Sequence, residues 1–396
     1  MPDRSVNQAM HLALNAYFWN QPDTGSGQYT RQLVYHLNRL VSDMDITLVY
    51  PRSPGAAPPE DVPPSVAVEE VPIRAGKLGK VLWEQVGFPR ACGRLGVDVA
   101  HVPFWGSPLR SPAPVVVTIH DIITHIFPAY RRGPQMRLYN ALVTASARDA
   151  SHIITDSDAS QEDIVAHLGM DPARMTTVYL AAGPDYSPES NMLLDMAVLQ
   201  KYDLPDFYIL YFGGYARHKN VNTLLLAYTY VADALGDEYP LVLAGRKPEK
   251  SSGSFLDYDD YIRRLNIEDK VRWIGYVDEA DKPVLYRHAS TFVFPSLYEG
   301  FGLPPLEAMA SGAPVVTTTT SSLPEVVGDG AFAVDPEDER GMAGAIIATI
   351  VQDDLAAQLK QRGLAQAKQF TWEKTVAETV AVYSQVLEGR SREQID

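Results

Sequence analysis

Short apolar runs alternate with helix-length amphipathic stretches through most of this chain, and the alternation occurs twice. The first series of strand candidates is Met10–Phe18, Ile46–Tyr50, Val66–Val71, Val97–Val102, Pro114–Ile119 and His152–Thr155. Helical patterns lie among them at about 28–41, 132–149 and 157–168. The second series is Phe207–Phe212, Pro240–Ala244, Val271–Ile274, Thr291–Phe294, Pro314–Thr318 and Ala331–Val334, with helices at about 221–235, 258–265, 280–288 and 306–311. Strand–helix alternation predicts an α/β fold whose parallel sheets are covered on both faces. The pattern pauses over Ala181–Pro188 and Leu204–Pro205, which places a linker near 183–206. After Asp335 no strand pattern remains, and 338–390 reads as helix broken near Gly363 and Thr371. The expected organisation is two Rossmann-like doubly wound halves with a cleft between them. Ligands in such sheets bind outside the carboxyl ends of the strands. A length of 396 residues suits two domains of this kind.

Composition removes several other classes. The formal charge of −15, from 34 basic and 49 acidic residues, argues against a nucleic-acid binder with a broad basic face. The deficit is uneven, at −4 over residues 1–190 and −11 over the rest, so the first half is the better candidate for an anionic surface or acceptor. The single cysteine, Cys92, excludes an intrachain disulfide and a zinc–thiolate cluster. No apolar run approaches the roughly 18 residues of a membrane span, and MPDRSVNQAMHLAL carries no leader pattern. A cytoplasmic protein is expected.

The strand ends hold the informative residues. Directly after Thr291–Phe294 the chain reads PSLYEGFGLPPLEAMASGAP, residues 295–314. Gly300 and Gly302 let backbone approach a ligand closely, and Pro304 or Pro305 can open a helix. The amides of Gly302 and Leu303 would then face an anion with the helix dipole behind them. Glu299 and Glu307 stand eight residues apart, and a carboxylate can accept two hydrogen bonds from a diol such as a ribose. Arg217 and Lys219 follow Phe207–Phe212, where two cations could neutralise a diphosphate. Gly25, Ser26 and Gly27 follow the first strand and open a helix, which suits either a phosphate or a plain tight turn. His120 follows Pro114–Ile119, with Asp121 placed to orient it or to cap a turn.

Asp156-Ser157-Asp158 has the spacing of a metal-binding D-x-D, but Ser157 or Asp158 before an acidic first turn reads better as a helix cap. The matches at Asp43–Asp45 and Asp257–Asp259 fall in loop-like or helix-leading sequence. The stretch from Lys77 through Trp83 and Phe88 to Arg90 is read as an amphipathic helix on the sheet, with contact to a membrane or lipid-linked acceptor as the second reading. His101, Pro103, Phe104 and Trp105 end a strand and are candidates to line an acceptor pocket.

Residues 295–314 closely resemble the E-x7-E signature of the family-four retaining glycosyltransferases, which have the GT-B fold. Gly25-Ser-Gly27, His120-Asp121 followed by Phe127-Pro128, the run 153–157, Arg217-His-Lys-Asn220, Gly245-Arg246, the run 274–277 and Phe370-Thr-Trp372 fall in the family's order, so the resemblance covers nearly the whole chain. The resemblance implies an acceptor-binding domain over 1–190, a nucleotide-sugar donor domain over 191–371, and a helix over 372–396 that crosses back to the first domain. It implies retaining transfer of a hexose, from UDP-glucose or GDP-mannose, to a hydroxyl of a glycan or lipid-linked glycan, with peripheral contact at the inner membrane face as an option. It implies Glu299, His120, Lys219 and Arg217 as catalytic residues. Donor contacts would come from Gly25, Gly27, Arg217, Lys219, Gly245, Tyr276, Gly300, Phe301, Gly302, Leu303 and Glu307, with Glu307 on the ribose. The family's cationic turn usually reads Arg-Lys-Asn with a further arginine upstream. Here His218 takes the first place and Gly214-Tyr215 stand upstream, so Lys219 is the carry-over and Arg217 a candidate substitute. No metal is expected, because the cations and the helix start supply the positive charge. A nucleotide-sugar epimerase or hydrolase on the same fold, or a non-catalytic glycan- or nucleotide-binding protein, stays open as an alternative.

Overall fold

A computed structural model describes residues 9–130, 133–248 and 256–393. The leader question at 1–8 and the expected helix start at Arg132 lie outside the described residues. The chain forms two compact units. One comprises the described residues of 9–125, 133–179 and 372–393, and the other Ile126–Tyr130 and Leu180–Thr371. The unit break at Tyr179/Leu180 precedes the expected one at 190, because the loop over 180–191 already packs with the second unit's residues. Arg287, for example, donates to the Ser187 carbonyl at 2.6 Å.

The first unit is built on a seven-stranded parallel sheet. Its strands are β1 (Met10–Asn15), β2 (Met44–Arg52), β3 (Ala67–Pro72), β4 (Val99–Val102), β5 (Val115–Ile119), β6 (His152–Thr155) and β7 (Met175–Thr177). They run in the order β3-β2-β1-β4-β5-β6-β7. Every residue of β4, β5 and β6 is buried, as expected for a sheet covered on both faces. Helix Gly25–Leu40 shows why such sequence folds this way. Thr24 caps it by accepting from the Gly27 amide at 3.2 Å, and Tyr29, Thr30, Leu33, Val34 and Leu37 form one buried face at helical spacing. Two expectations shift here. β1 stops at Asn15, because Ala16–Asn20 leave the sheet as a turn, and β7 is a seventh strand that the apolar pattern lacks.

The last helix, Trp372–Glu393, belongs to this unit. The Tyr383 hydroxyl lies 2.6 Å from His101 Nδ1, and Thr375 donates to the Tyr179 carbonyl at 2.7 Å. The Trp372 ring stacks on His36 at 5.0 Å.

The second unit has six parallel strands: β8 (Ile209–Phe212), β9 (Leu241–Ala244), β10 (Val271–Gly275), β11 (Thr291–Phe294), β12 (Val315–Thr318) and β13 (Phe332–Val334). Their order is β10-β9-β8-β11-β12-β13. Helices Val221–Leu235 and Glu339–Val351 cover one core built from Tyr215, Leu224, Tyr228, Leu243, Val293 and Ile346. The predicted break at Gly363 is absent, and helix Asp353–Ala367 runs through it. A Cβ there would lie 3.1 Å from Met309 and 3.2 Å from the Gly330 carbonyl, so this glycine serves close packing and not a turn.

Candidate active site

In each sheet the connections reverse direction once, between β1 and β4 in the first and between β8 and β11 in the second. Loops that leave such a switch point on opposite sides open a crevice at the strands' carboxyl ends. The second unit places its charged residues there. After β8, Arg217–Lys219 form a 3-10 turn that ends on Asn220 in the left-handed conformation (φ +55°). Asn220 donates to the Pro295 carbonyl at 3.1 Å and to the Pro336 carbonyl at 2.8 Å, and the Leu297 amide donates to the His218 carbonyl at 2.7 Å. These bonds fasten the turn after β8 to the loop after β11.

The result is an ion pair. Lys219 Nζ lies 2.6 Å from Glu299 Oε1, with both side chains mostly buried, and Lys219 also sits over the Phe294 ring at 5.4 Å. The Glu299 backbone is held by Ser321 and Ser322, at 2.9 and 3.0 Å. The Nδ1 of His218 meets the Tyr130 hydroxyl at 2.9 Å. Burial and the neighbouring Lys219 ammonium, opposed by Glu299, lower its pKa to about 4, so it is neutral and adds no charge where the family has an arginine. Arg217 is exposed at the same turn.

Gly302 caps helix Leu303–Ala310 in the left-handed region (φ +118°), where a Cβ would also meet Leu323 at 2.9 Å. Pro304 lies in the first turn, and the first amides have no partner inside the helix. Glu307 follows one turn later. It is buried and accepts from the Tyr286 hydroxyl at 3.1 Å. Burial raises its pKa, and the Lys282 ammonium opposes that rise. Tyr186 also faces this carboxylate. Gly245, after β9, is at φ +117° with the Gly213 carbonyl 2.2 Å from where a Cβ would stand. Tyr276, after β10, is half exposed and carries the Arg246 guanidinium over its ring at 5.4 Å. Phe301 is buried and packs edge-on against Phe370, and Gly300 lies in the loop before it. The structure thus brings Lys219 and Glu299 together, and it sets Gly302, Leu303 and Glu307 along one helix start.

Gly25, Gly27 and His120 lie in the first unit. A Cβ on Gly27 would stand 2.1 Å from the Gln21 carbonyl, so the tight turn alone requires glycine there, while Gly25 faces open space. His120 Nδ1 lies 2.6 Å from Asp156 Oδ2. Asp121 instead accepts from the Ile123 amide at 2.9 Å and caps a turn. Sequence reasoning missed Asp156 as the orienting carboxylate, because β5 and β6 bring it beside His120 only in the folded sheet. Ser157 caps helix Asp158–Leu168, and the Asp158 carboxylate accepts from Tyr179, so this D-x-D is not arranged as a ligand pair. Asp257 likewise caps helix Tyr258–Leu265. Among the described residues no group of three or more His, Cys, Asp or Glu is placed to hold a metal ion. His101 is fully buried between Tyr383 and Thr118, and its pKa falls to about 3, chiefly by burial. It is part of the interior.

Residues 199–366 match the model of the glycosyl transferases group 1, and residues 24–183 match that of glycosyltransferase family 4. The O-antigen chain mannosyltransferase B of Escherichia coli is 38% identical over 269 residues, which is 68% of this chain and 69% of that protein. This chain is a family-four glycosyltransferase. The glycosyltransferase is also 29% identical to the serotype-specific mannosyltransferase WbdA of Escherichia coli, over 70% of its own length but 34% of that longer protein. Among solved structures, sucrose-phosphate synthase from Thermosynechococcus elongatus superposes with a TM-score of 0.79 at 19% identity, covering 96% of this glycosyltransferase and all of that chain. That likeness establishes the GT-B fold.

Proposed function

We propose that this glycosyltransferase moves a mannosyl residue from a nucleoside-diphosphate mannose, GDP-mannose of the two donors expected, to a hydroxyl of a glycan acceptor, with retention at the anomeric carbon. The Lys219–Glu299 pair at the β8/β11 switch point carries the reading. It combines a cation for a departing diphosphate with a carboxylate for a sugar that turns cationic in the transition state. The mannosyltransferase names of the relatives favour mannose.

In this reading the C1–O bond to the diphosphate breaks and its electron pair stays on the phosphate oxygen. Lys219, the exposed Arg217 and the first amides of helix Leu303–Ala310 stabilise that charge, a contribution often dominant in catalysis. The acceptor oxygen bonds to C1 from the same face, and its proton passes to the leaving phosphate. Glu307, held by Tyr286, would accept the ribose hydroxyls, and Gly245 and Tyr276 would add further donor contacts. His120, oriented by Asp156, is proposed to contact the transferred sugar. No divalent metal takes part.

Incubation with GDP-mannose, UDP-glucose and methyl α-D-mannopyranoside, followed by NMR of the product's anomeric carbon, tests the donor and the stereochemistry together. An α-mannoside is expected. A β-linked product would remove retention, and transfer from UDP-glucose alone would remove mannose.

A lipid-linked acceptor fits the exposed Leu78 and Leu82 on helix Lys77–Leu82. Among the described residues no helix is long and apolar enough to cross a membrane. Flotation with anionic vesicles should weaken when both leucines are changed to serine, and equal flotation would remove the membrane contact.

A further inference from the structure

The first unit's switch point, between β1 and β4, holds a cluster that the donor chemistry leaves unused. Asn15 ends β1 and is fully buried, and its Oδ1 accepts from the Tyr17 amide at 3.1 Å and from Trp83 Nε1 at 3.0 Å. Phe104 and Gly106 follow β4. Trp83–Gly87 form a single π-helical turn, a distortion often found at functional sites. That turn buries Glu84 completely.

Glu84 Oε1 accepts from the Tyr139 hydroxyl at 2.9 Å and lies 3.5 Å from Lys80 Nζ. Its second oxygen, Oε2, is buried without a hydrogen-bond partner, as is Asn15 Nδ2. A Cβ on Gly106 would lie 2.7 Å from Glu84 Oε1, so the glycine keeps room for the carboxylate. Lys80 Nζ is surrounded by the rings of Tyr139 at 5.1 Å, Phe18 at 5.4 Å, Tyr17 at 5.5 Å and Phe104 at 5.8 Å, while its side chain remains 26% exposed. Aromatic faces attract an ammonium but supply no lone pair in the manner of an oxygen. An ammonium has three donors and Glu84 engages only one side of it, so the exposed side keeps N–H groups to give.

We propose that Tyr17, Phe18 and Lys80 form a subsite for a neutral pyranose ring of the acceptor, with the rings as its apolar platform and the Lys80 ammonium donating to a sugar hydroxyl. Glu84 and Tyr139 hold the ammonium in place. Burial raises the Glu84 pKa to about 7, against Lys80 and Tyr139, so at pH 8 its carboxylate offsets the lysine's charge and a neutral sugar fits better than an anion. The site lies where an open α/β sheet binds its ligands. This assignment rests on the glycan-acceptor reading above.

Saturation-transfer NMR at pH 8 with methyl α-D-mannopyranoside and methyl α-D-glucopyranoside tests it, alongside calorimetry with GDP on the same samples. The wild-type protein is expected to show transfer to at least one glycoside. Lys80→Met and Tyr17→Leu should each weaken that binding about tenfold or more, a change of roughly one decade in Kd, with GDP affinity unchanged and Lys80→Arg close to wild type. GDP binding without transfer to either glycoside in the wild type would overturn the subsite and leave the donor site standing. Variants that bind the glycosides as the wild type does would overturn it too. Displacement of the glycoside by inorganic phosphate would overturn the neutral class of ligand. Should Lys80→Met fail to fold, seen as loss of the wild-type circular dichroism and thermal unfolding transition, Tyr17→Leu decides.

Discussion

Lys219 and Glu299 are eighty positions apart in sequence and 2.6 Å apart in the fold, each at the end of a central strand of the same sheet. Neither charge is left uncompensated before a donor arrives. A diphosphate would compete with Glu299 for the ammonium and so release the carboxylate toward the sugar. On the proposed function, the pair would connect donor binding to the freeing of the carboxylate that supports the transition state.

Lys219→Ala should lower kcat more than it raises the donor KM. Only interactions that strengthen in the transition state accelerate the chemical step, and loss of one such charge-stabilising group costs on the order of 100-fold or more. Steady-state kinetics separates the two parameters. A mutant with normal kcat and raised KM would make Lys219 a uniform binder of the donor.

Glu307→Ala should weaken binding of the nucleoside diphosphate by roughly 1.5–3 kcal/mol, about 10- to 150-fold in Kd, the cost of losing hydrogen bonds to a charged group. Isothermal titration calorimetry measures it directly. Unchanged affinity would take Glu307 off the ribose.

Transfer should proceed in EDTA. Mg²⁺ usually binds through one or two carboxylates together with phosphate oxygens. The second unit offers Lys219, Arg217 and a helix start, whereas Asp257 and Asp259 serve a helix cap and an ion pair with Lys247. Added Mg²⁺ or Mn²⁺ should change the rate less than about tenfold, equivalent to ~1.4 kcal/mol of barrier. Abolition by chelation and rescue by Mn²⁺ would return Asp156 and Asp158 as metal candidates.

The His120–Asp156 contact should make stability depend on pH in a defined direction. Burial is the largest influence and disfavours the His120 cation, but the Asp156 carboxylate, joined by Asp121 and the Pro103 carbonyl, outweighs it and raises the pKa above the ordinary imidazole value. Such a group contributes its full stabilisation below the unfolded pKa of about 6.5, and the contribution is lost as pH rises through the folded value. The gap in thermal midpoint between the wild type and His120→Gln should thus be wide at pH 6 and narrow at pH 9. A gap that does not vary with pH would mean that His120 is not charged in the folded protein.

Buried parallel strands were legible because their sequences are near-continuous apolar runs, as in Val115–Ile119 and Thr291–Phe294. Residues at their carboxyl ends could be singled out for the same reason. β7 was not legible, since Met175–Thr177 is three residues long with two threonines at the sheet's edge. Gly363 misled because a glycine in a helical pattern signals either a break or a close approach, and only the neighbouring Met309 and Gly330 distinguish them. The partnership of His120 with Asp156 depends on strand order, which leaves no periodic trace in sequence. Lys80 and Glu84 stand four residues apart, an ordinary helical ion-pair spacing, but the rings of Tyr17, Phe18, Phe104 and Tyr139 meet Lys80 only in the fold.

The insertion of Tyr383 against His101 has a consequence for synthesis on the ribosome. Residues 9–179 emerge first, yet the unit they form still lacks helix Trp372–Glu393, which supplies Tyr383 and Trp372 to its interior. Residues 180–371 have left the ribosome before that helix is finished. Domains tend to fold as units when their residues become available during translation. Here the order is inverted: the second unit can close while the first waits, its sheet laid down but its interior open. A chain stalled or cleaved near residue 371 would present that open face to chaperones and proteases, and the helix added in trans as a peptide would be the means to close it.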